Sequence, residues 1–580
     1  MPDAADADAV VIGSGPNGMV AANLLADEGW TVTVLEAAPT PGGAVRTEEL
    51  TVPGFHHDVF SAFYPLAAVS PALQRLQLED HGLRWRHAPL TLAHPLPEGR
   101  AAAIFPDLDA TAASLDALCP GDGAGWLDMI GRWDAVSGPL IGAIMGTFPP
   151  VGPALRLFGR LGPTGLLRLG RHALLPVRRM GEELFSGPGP RLLLGGCALH
   201  ADLGPEAAGS GMYGWLLACL AQRQGFPVPE GGAGALIAAL VDRLRSRGGT
   251  LACGTEVTRV VVRHGRAVGV ETRDGGAVTA RRAVIADVAA PALYLELVGA
   301  EHLPPSLLAD LRHFQWDTAT VKVDWALSGP IPWAAPEARR AGTVHVADDF
   351  DNLTAYAAQL AMGQLPDRPF LLVGQQSMAD PGRSPAGTET AWAYTHVPRR
   401  LVADAAGQLA VPPAAASGSP ASAGSSAWLP GFVARIEARL EALAPGFSDR
   451  IIGRSVLGPG DLQDRNANLH GGAIGGGTAQ LHQQLVLRPV PGSGRPETPV
   501  AGLYLASSSA HPGAGVHGAA GANAARAAVL PLGRARAALL GRGLQSRRSG
   551  PGGGPHRGGW ADPVPVTAGG ARPAPVAPER

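Results

Sequence analysis

The sequence predicts an α/β protein: a parallel sheet with a β-meander, assembled from separated stretches of chain, and an interleaved α+β domain. Three observations predict it. Residues 10–12, 13–18, 19–28 and 31–35 read as strand, turn, helix and strand, which is one βαβ unit. Residues 231–247 read as a helix with Leu236, Leu240 and Leu244 on one face. It precedes three strand-like runs, 256–262, 267–272 and 278–286, joined by turns at His264-Gly265 and Asp274-Gly275-Gly276. Finally, a late strand at 502–506 leads through a glycine-rich stretch, 511–521, into a helix at 516–529.

Composition narrows the function. The 580 residues are 46% hydrophobic, enough for a large core and more than one domain. A net charge of -2 gives no electrostatic case for nucleic acid. The four cysteines, Cys119, Cys197, Cys219 and Cys253, form no CxxC pair and no zinc-type spacing, so neither a dithiol centre nor a metal site is expected. Residues 1–9 lack a signal-peptide pattern, and no apolar run reaches the ~20 residues that span a bilayer. The expected location is the cytoplasm. Lys322 is the only lysine in the chain.

The first turn carries chemistry. Gly13-Ser14-Gly15-Pro16-Asn17-Gly18 is GxGxxG, directly after an apolar strand and before a helix. Gly13 permits the tight turn, Gly15 the approach of a diphosphate, and Gly18 close packing of helix on strand. The helix N-terminus offers free N–H groups and a positive dipole end. Glu36, at the end of the second strand, is spaced to accept hydrogen bonds from a ribose. Gly42, Gly43, Ala44 and Arg46 follow in a second glycine turn, where Arg46 offers a cation.

The strand, GxGxxG, acidic strand end and downstream GG-x-x-R resemble the FAD enzymes of glutathione-reductase structural type, and more narrowly the phytoene desaturase and amine oxidase branches. The segment Pro512-Gly513-Ala514-Gly515-Val516-His517-Gly518-Ala519-Ala520-Gly521 is similar to the terminal PGxGVxGxxG of carotenoid-desaturase-type oxidoreductases. That resemblance implies a Rossmann-like FAD domain from residues 1–69, 227–300 and 454–535. It implies a substrate domain from 70–226 and 301–453, with a low-complexity insertion at 403–426 and a tail at 536–580. It places Pro512, Gly513, Gly515, Val516 and Gly518 at the isoalloxazine and Val257 at the adenine. One branch of this family is named for a pyridine nucleotide-disulfide oxidoreductase domain. This chain has neither the dithiol nor a clear second nucleotide-binding unit, so oxygen or a quinone is the expected electron acceptor.

Two residues are candidates for catalysis. Lys322 lies in a strand-like alternation with Val321, Val323 and Trp325 on the opposite face. It resembles the lysine that holds a water at the flavin of amine oxidases, and a surface salt bridge is its plain alternative. His470, in the loop Leu469-His470-Gly471-Gly472, is a candidate proton acceptor or a histidine that pins the backbone. Residues 135–181 contain no acidic residue and six arginines among apolar ones, a pattern suited to peripheral membrane contact or to a solvated helical cap. The expected activity is hydride removal from an apolar or amphipathic small-molecule substrate to FAD. A flavin amine oxidase and a flavin-binding regulatory protein are the alternatives.

Overall fold

β1 (Ala7–Ile12), α1 (Pro16–Asp27) and β2 (Val32–Leu35) open the chain. The structure, a computed structural model, describes residues 6–411 and 427–530. β1 is flanked by β2 and by the long strand Ala277–Ala286, parallel to both. Leu503–Leu505 extends the sheet beyond Ala277–Ala286, and Thr250–Ala252 extends it beyond β2. Ile12 stands opposite both Leu35 and Ala286, and Ala286 stands opposite Leu505. The strands therefore end level, and Gly13, Glu36 and Asp287 emerge along one edge. Ligands of open parallel sheets bind at that edge.

Burial on both faces explains why β1 is an unbroken apolar run. α1, Ala233–Ser246 and Ala519–Val529 cover one face through Met19, Leu25, Leu236, Leu240 and Ala524. Val260, Val270, Leu293 and Leu307 pack against the other. Val257–Arg263 and Arg266–Thr272 are antiparallel, and the strand Ala277–Ala286 passes from this meander into the parallel sheet. Two helix starts differ from expectation. α1 begins at Pro16, whose fixed φ suits the first helical position, with Gly15 as N-cap. The last helix begins at Ala519, because Gly518 at φ +65° breaks the helical path and His517 Nδ1 accepts the Ala519 N–H at 3.0 Å.

A second sheet of seven strands runs Ile451–Leu457, Ala319–Leu327, Glu389–Val397, Leu371–Gly374, Ala341–Val346, Leu90–Leu96, Arg100–Ile104. Val321, Val323 and Trp325 face a core shared with Phe432 and Phe447, while Lys322 and Asp324 take the other face. The helices Asp122–Met145, Pro188–Ala198 and Ser210–Gln224 build a further core around Trp126, Trp133 and Trp215. The arginine-rich stretch forms two helical segments within Val151–Leu174, broken at Gly162, whose φ of +62° is non-helical.

The insertion expected at 403–426 is folded at its start. Ala403–Asp404 pairs with Gln364–Leu365, and Arg435 donates to Asp404 Oδ1 at 2.8 Å. Gln408 and Leu409 N–H groups bond the same carboxylate, which pins this polar stretch down. Residues 412–426 and 531–580, the latter including the expected tail 536–580, lie outside the described residues.

Candidate cofactor and active site

The strand-end row builds the site. At Gly13 the chain turns with φ +90°, and a Cβ there would meet the Asp287 carbonyl oxygen at 2.9 Å. Ser14 N and Oγ donate to Glu36 Oε2 at 2.8 and 2.6 Å, and Ala38 N donates to Oε1 at 2.8 Å. Three donors thus orient the Glu36 carboxylate and leave acceptor capacity for a ribose hydroxyl. Gly42 N donates to Ser14 Oγ at 3.1 Å, which locks the second glycine turn to the first. Gly43 packs so closely that a Cβ on it would lie 3.1 Å from Gly15 Cα. Ala44 and Arg46 carbonyls accept from Ser61 N and Val59 N.

The Arg46 guanidinium donates to the Arg465 carbonyl at 3.0 Å and lies over the Phe60 ring. Burial pulls its pKa below the usual arginine value. Its Nε and the Asn17 side-chain oxygen are buried without a hydrogen-bond partner among the described residues. α1 has Pro16 at its first position and no cap from its own N-cap residue Gly15, and the Asp287 carboxyl takes the Gly18 N–H at 2.8 Å. Val257 begins its strand two residues after Thr255, whose N–H bonds the Glu36 carbonyl at 2.8 Å, which places Val257 close to Glu36 in the chain path.

The opposite end of the chain closes the cradle. Gly521 meets α1 so tightly that a Cβ would lie 1.9 Å from the Asn17 carbonyl oxygen, and one on Gly518 would lie 2.5 Å from Val20 Cγ2. Gly513 and Gly515 have φ +109° and +111°, and Leu66 and Arg488 occupy the space beside them. Pro512 follows a cis peptide bond, and Val516 packs on the α1 side of the sheet. Burial pushes the His517 pKa down to about 4, so its ring is neutral and its Nδ1 caps the last helix.

Sequence reasoning missed the residues that lace this edge together. Arg488 is buried and donates to the carbonyls of Gly475, Thr478 and Ser508 at 2.9, 2.9 and 2.7 Å. Asp317 accepts from Ile474, Gly475 and Gly477 N–H groups, and burial raises its pKa to about 6 despite them. The Gly471–Gly477 stretch is therefore a clasp wrapped on Asp317 and Arg488. Asn468 bridges to the strand-end row, donating to the Asp287 carbonyl and accepting from Ala289 N. The single available signal was the position of Asp287 just past the third meander strand.

The two catalytic candidates are placed differently. Lys322 is buried, with its ammonium donating to both oxygens of Asp324 and to the Asp58 carbonyl at 2.9 Å. Its three donor sites are engaged, and the amine ties the second sheet to the segment carrying His57 and Asp58. Asp58 in turn pairs with buried Arg383 at 2.8 Å. His470 stacks on Trp316 with centroids 4.8 Å apart, and Arg399 donates to its Nδ1 at 3.0 Å. Arginine is donor-only, so the hydrogen of the neutral ring sits on Nε2. Burial and Arg399 together lower its pKa and keep the ring neutral.

Comparison with known proteins agrees with this geometry. The model of the NAD(P)-binding Rossmann-like domain family matches residues 11–76. Pyridine nucleotide-disulfide oxidoreductase domain-containing protein 2 of Mus musculus is 29% identical, over 90% of this chain and 94% of that protein. Phytoene desaturase (neurosporene-forming) of Cereibacter sphaeroides is 25% identical, over 91% of this chain and 95% of that protein. The crystal structure of an oxidoreductase from Methanosarcina mazei shares the fold with a TM-score of 0.57 at 16% identity, over 90% of this chain and 99% of that one.

Fold and site define an FAD-dependent oxidoreductase of Rossmann type, in which the glycine turns, Glu36, Asn17 and Arg46 fit the dinucleotide. The chain is a homologue of the phytoene desaturases and of pyridine nucleotide-disulfide oxidoreductase domain-containing protein 2.

Proposed function

We propose that this chain oxidises a largely apolar or amphipathic small molecule by hydride removal, in the manner of a desaturase or dehydrogenase, and passes the electrons to oxygen or a quinone. Bound FAD supplies the two-electron acceptor. The observation that carries the reading is the apolar wall at the closing turn. Leu66 fills the space beside Gly515, and Phe148 packs edge-on to His511 with centroids 6.2 Å apart. Nearby, Phe63 meets Trp392, and Trp392 stacks on Tyr394 at 5.8 Å. Burial raises the Tyr394 pKa, so the phenol stays neutral. Such a wall excludes water and favours an uncharged substrate.

The remaining roles follow from the hydrogen bonds. The last helix N-terminus, with Ala519 N–H held by neutral His517, favours negative charge on a ligand at the closing turn. His470 serves as a donor at Nε2, and Lys322 as a positioning residue between the domains. The two helical segments of Val151–Leu174 carry exposed Val151, Leu155, Phe158 and Leu167 beside Arg156, Arg160 and Arg168, and support peripheral contact with an anionic membrane that delivers such a substrate. No helix among the described residues is long and apolar enough to cross a membrane.

The test is a substrate screen on the purified flavoprotein, following anaerobic bleaching of the flavin with polyenes, lipids and amines, then reoxidation by oxygen or a quinone analogue. Bleaching by polyenes or lipids supports the reading. Hydrogen peroxide release with amines alone would favour an amine oxidase. Flavin that no substrate bleaches would favour a regulatory role.

A further inference from the structure

Asp287 is the member of the strand-end row that neither ribose nor flavin accounts for. Its N–H donates to the Ile12 carbonyl at 2.8 Å, and its own carbonyl accepts from Asn468 Nδ2 at 3.1 Å. The side chain, 6% exposed, reaches back under the glycine turn, where Oδ2 accepts the Gly18 N–H at 2.8 Å. A Cβ on Gly15 would lie 2.6 Å from that same oxygen. The space vacated by the second glycine, which dinucleotide turns keep for close approach of the diphosphate, is thus shared with a carboxyl oxygen.

The groups facing it are few. They are the Gly18 N–H with the N-terminal dipole of α1 and the Glu36 carboxylate from the end of β2, while Asn468 meets only the Asp287 backbone carbonyl. No lysine, arginine or histidine contributes to its charge balance among the described residues.

The geometry points to Asp287 as a proton-holding positioning residue for the cofactor: the neutral acid admits the diphosphate, and the carboxylate repels it. Ionised, Asp287 competes with the phosphates for the same helix N-terminus, and like charges in a dry site are costly. Neutral, its O–H becomes a donor toward a phosphate oxygen while the other oxygen keeps the Gly18 N–H. Burial raises this carboxyl to about 7, with Glu36 adding to the shift and the Gly18 N–H opposing it. The neutral form is therefore well populated near neutrality. A ligand that raises this pKa further loses affinity as pH climbs above the free-protein value, by up to about tenfold per pH unit. Asparagine at 287 keeps an acceptor for Gly18 and supplies a donor at every pH.

The inference rests on FAD as the ligand. Full-length holoprotein is diluted into buffers from pH 6 to 8.5, and released flavin is read by fluorescence. The wild type is expected to release FAD more readily above pH 7, with Kd rising about fivefold from pH 7 to 8 and more steeply beyond. Asp287→Asn is expected to show no such slope, and Glu36→Gln to keep the slope at weaker affinity. A flat wild-type profile, an unchanged slope in Asp287→Asn, or a slope abolished by Glu36→Gln overturns it. Proton uptake on adding FAD to the wild type at pH 8 needs no variant: uptake is expected, and its absence overturns the inference. Protein that takes up no FAD at any pH overturns the cofactor assignment as well, whereas pH-independent uptake overturns this inference alone.

Discussion

Gly521 of the closing helix lies against Asn17 of α1 with no room for a side chain: a Cβ on Gly521 would stand 1.9 Å from the Asn17 carbonyl oxygen. The two residues are 504 positions apart in the chain, 521 less 17, yet this contact joins the two glycine turns into one cradle. Gly521→Ala forces the helices apart, and overpacking of this kind costs about 1–3 kcal/mol. The expected result is a lower melting temperature together with loss of bound flavin, read by thermal denaturation and by the flavin-to-protein absorbance ratio.

Glu36 is held by Ser14 and Ala38, and the proposed cofactor would place its ribose on the remaining acceptor capacity. Removing a charge-assisted acceptor from a ligand costs roughly 1.5–3 kcal/mol. Glu36→Ala should therefore weaken FAD binding about tenfold to hundredfold while the fold survives, as measured by flavin fluorescence titration and circular dichroism.

Arg488 satisfies three backbone carbonyls at once inside the clasp. Arg488→Met leaves these oxygens buried and unpaired, at ~1–3 kcal/mol each. Thermal melts should show a large destabilisation, and Asp317→Asn should show a smaller one, since an amide still accepts from part of the Ile474–Gly477 backbone.

Lys322 and Asp324 form a buried pair on one strand. Lys322→Met strands the Asp324 carboxylate, and breaking one side of such a pair costs about 3–5 kcal/mol. The double variant Lys322→Met/Asp324→Leu should regain most of that stability and keep its flavin. Substrate-dependent flavin bleaching in the double variant then reports on chemistry alone: the positioning role predicts that it persists.

Acid should destabilise this protein early. Burial holds His94, His396 and His517 near a pKa of about 4, below the ordinary histidine value of 6.5. Their folded-state pKa values are depressed, so the stability they contribute is present above pH 6.5 and is lost as pH falls toward 4. Melting temperature should drop steeply over that window, and His517→Asn, which keeps an acceptor near Ala519 N–H, should make the drop shallower.

Much of the cradle was legible because backbone geometry demands particular residues. Gly13, Gly15, Gly18 and Glu36 follow local rules of strand, turn and helix, and the closing turn repeats them. Helix starts were less legible, since Pro16 and Gly518 act through φ values rather than hydrophobic period. The long-range partners were not legible. Asp287 meets Gly18 across 269 residues, and Lys322 meets Asp58 across 264, so no local pattern encodes those contacts. Nothing in the local sequence singles out Trp392, which the fold sets beside Phe63.

The flavin content of the purified chain tests the central claim most directly. The account predicts a yellow protein that yields FAD on denaturation, in a one-to-one ratio with polypeptide. Folded protein that is colourless, and remains so after incubation with FAD, would contradict it.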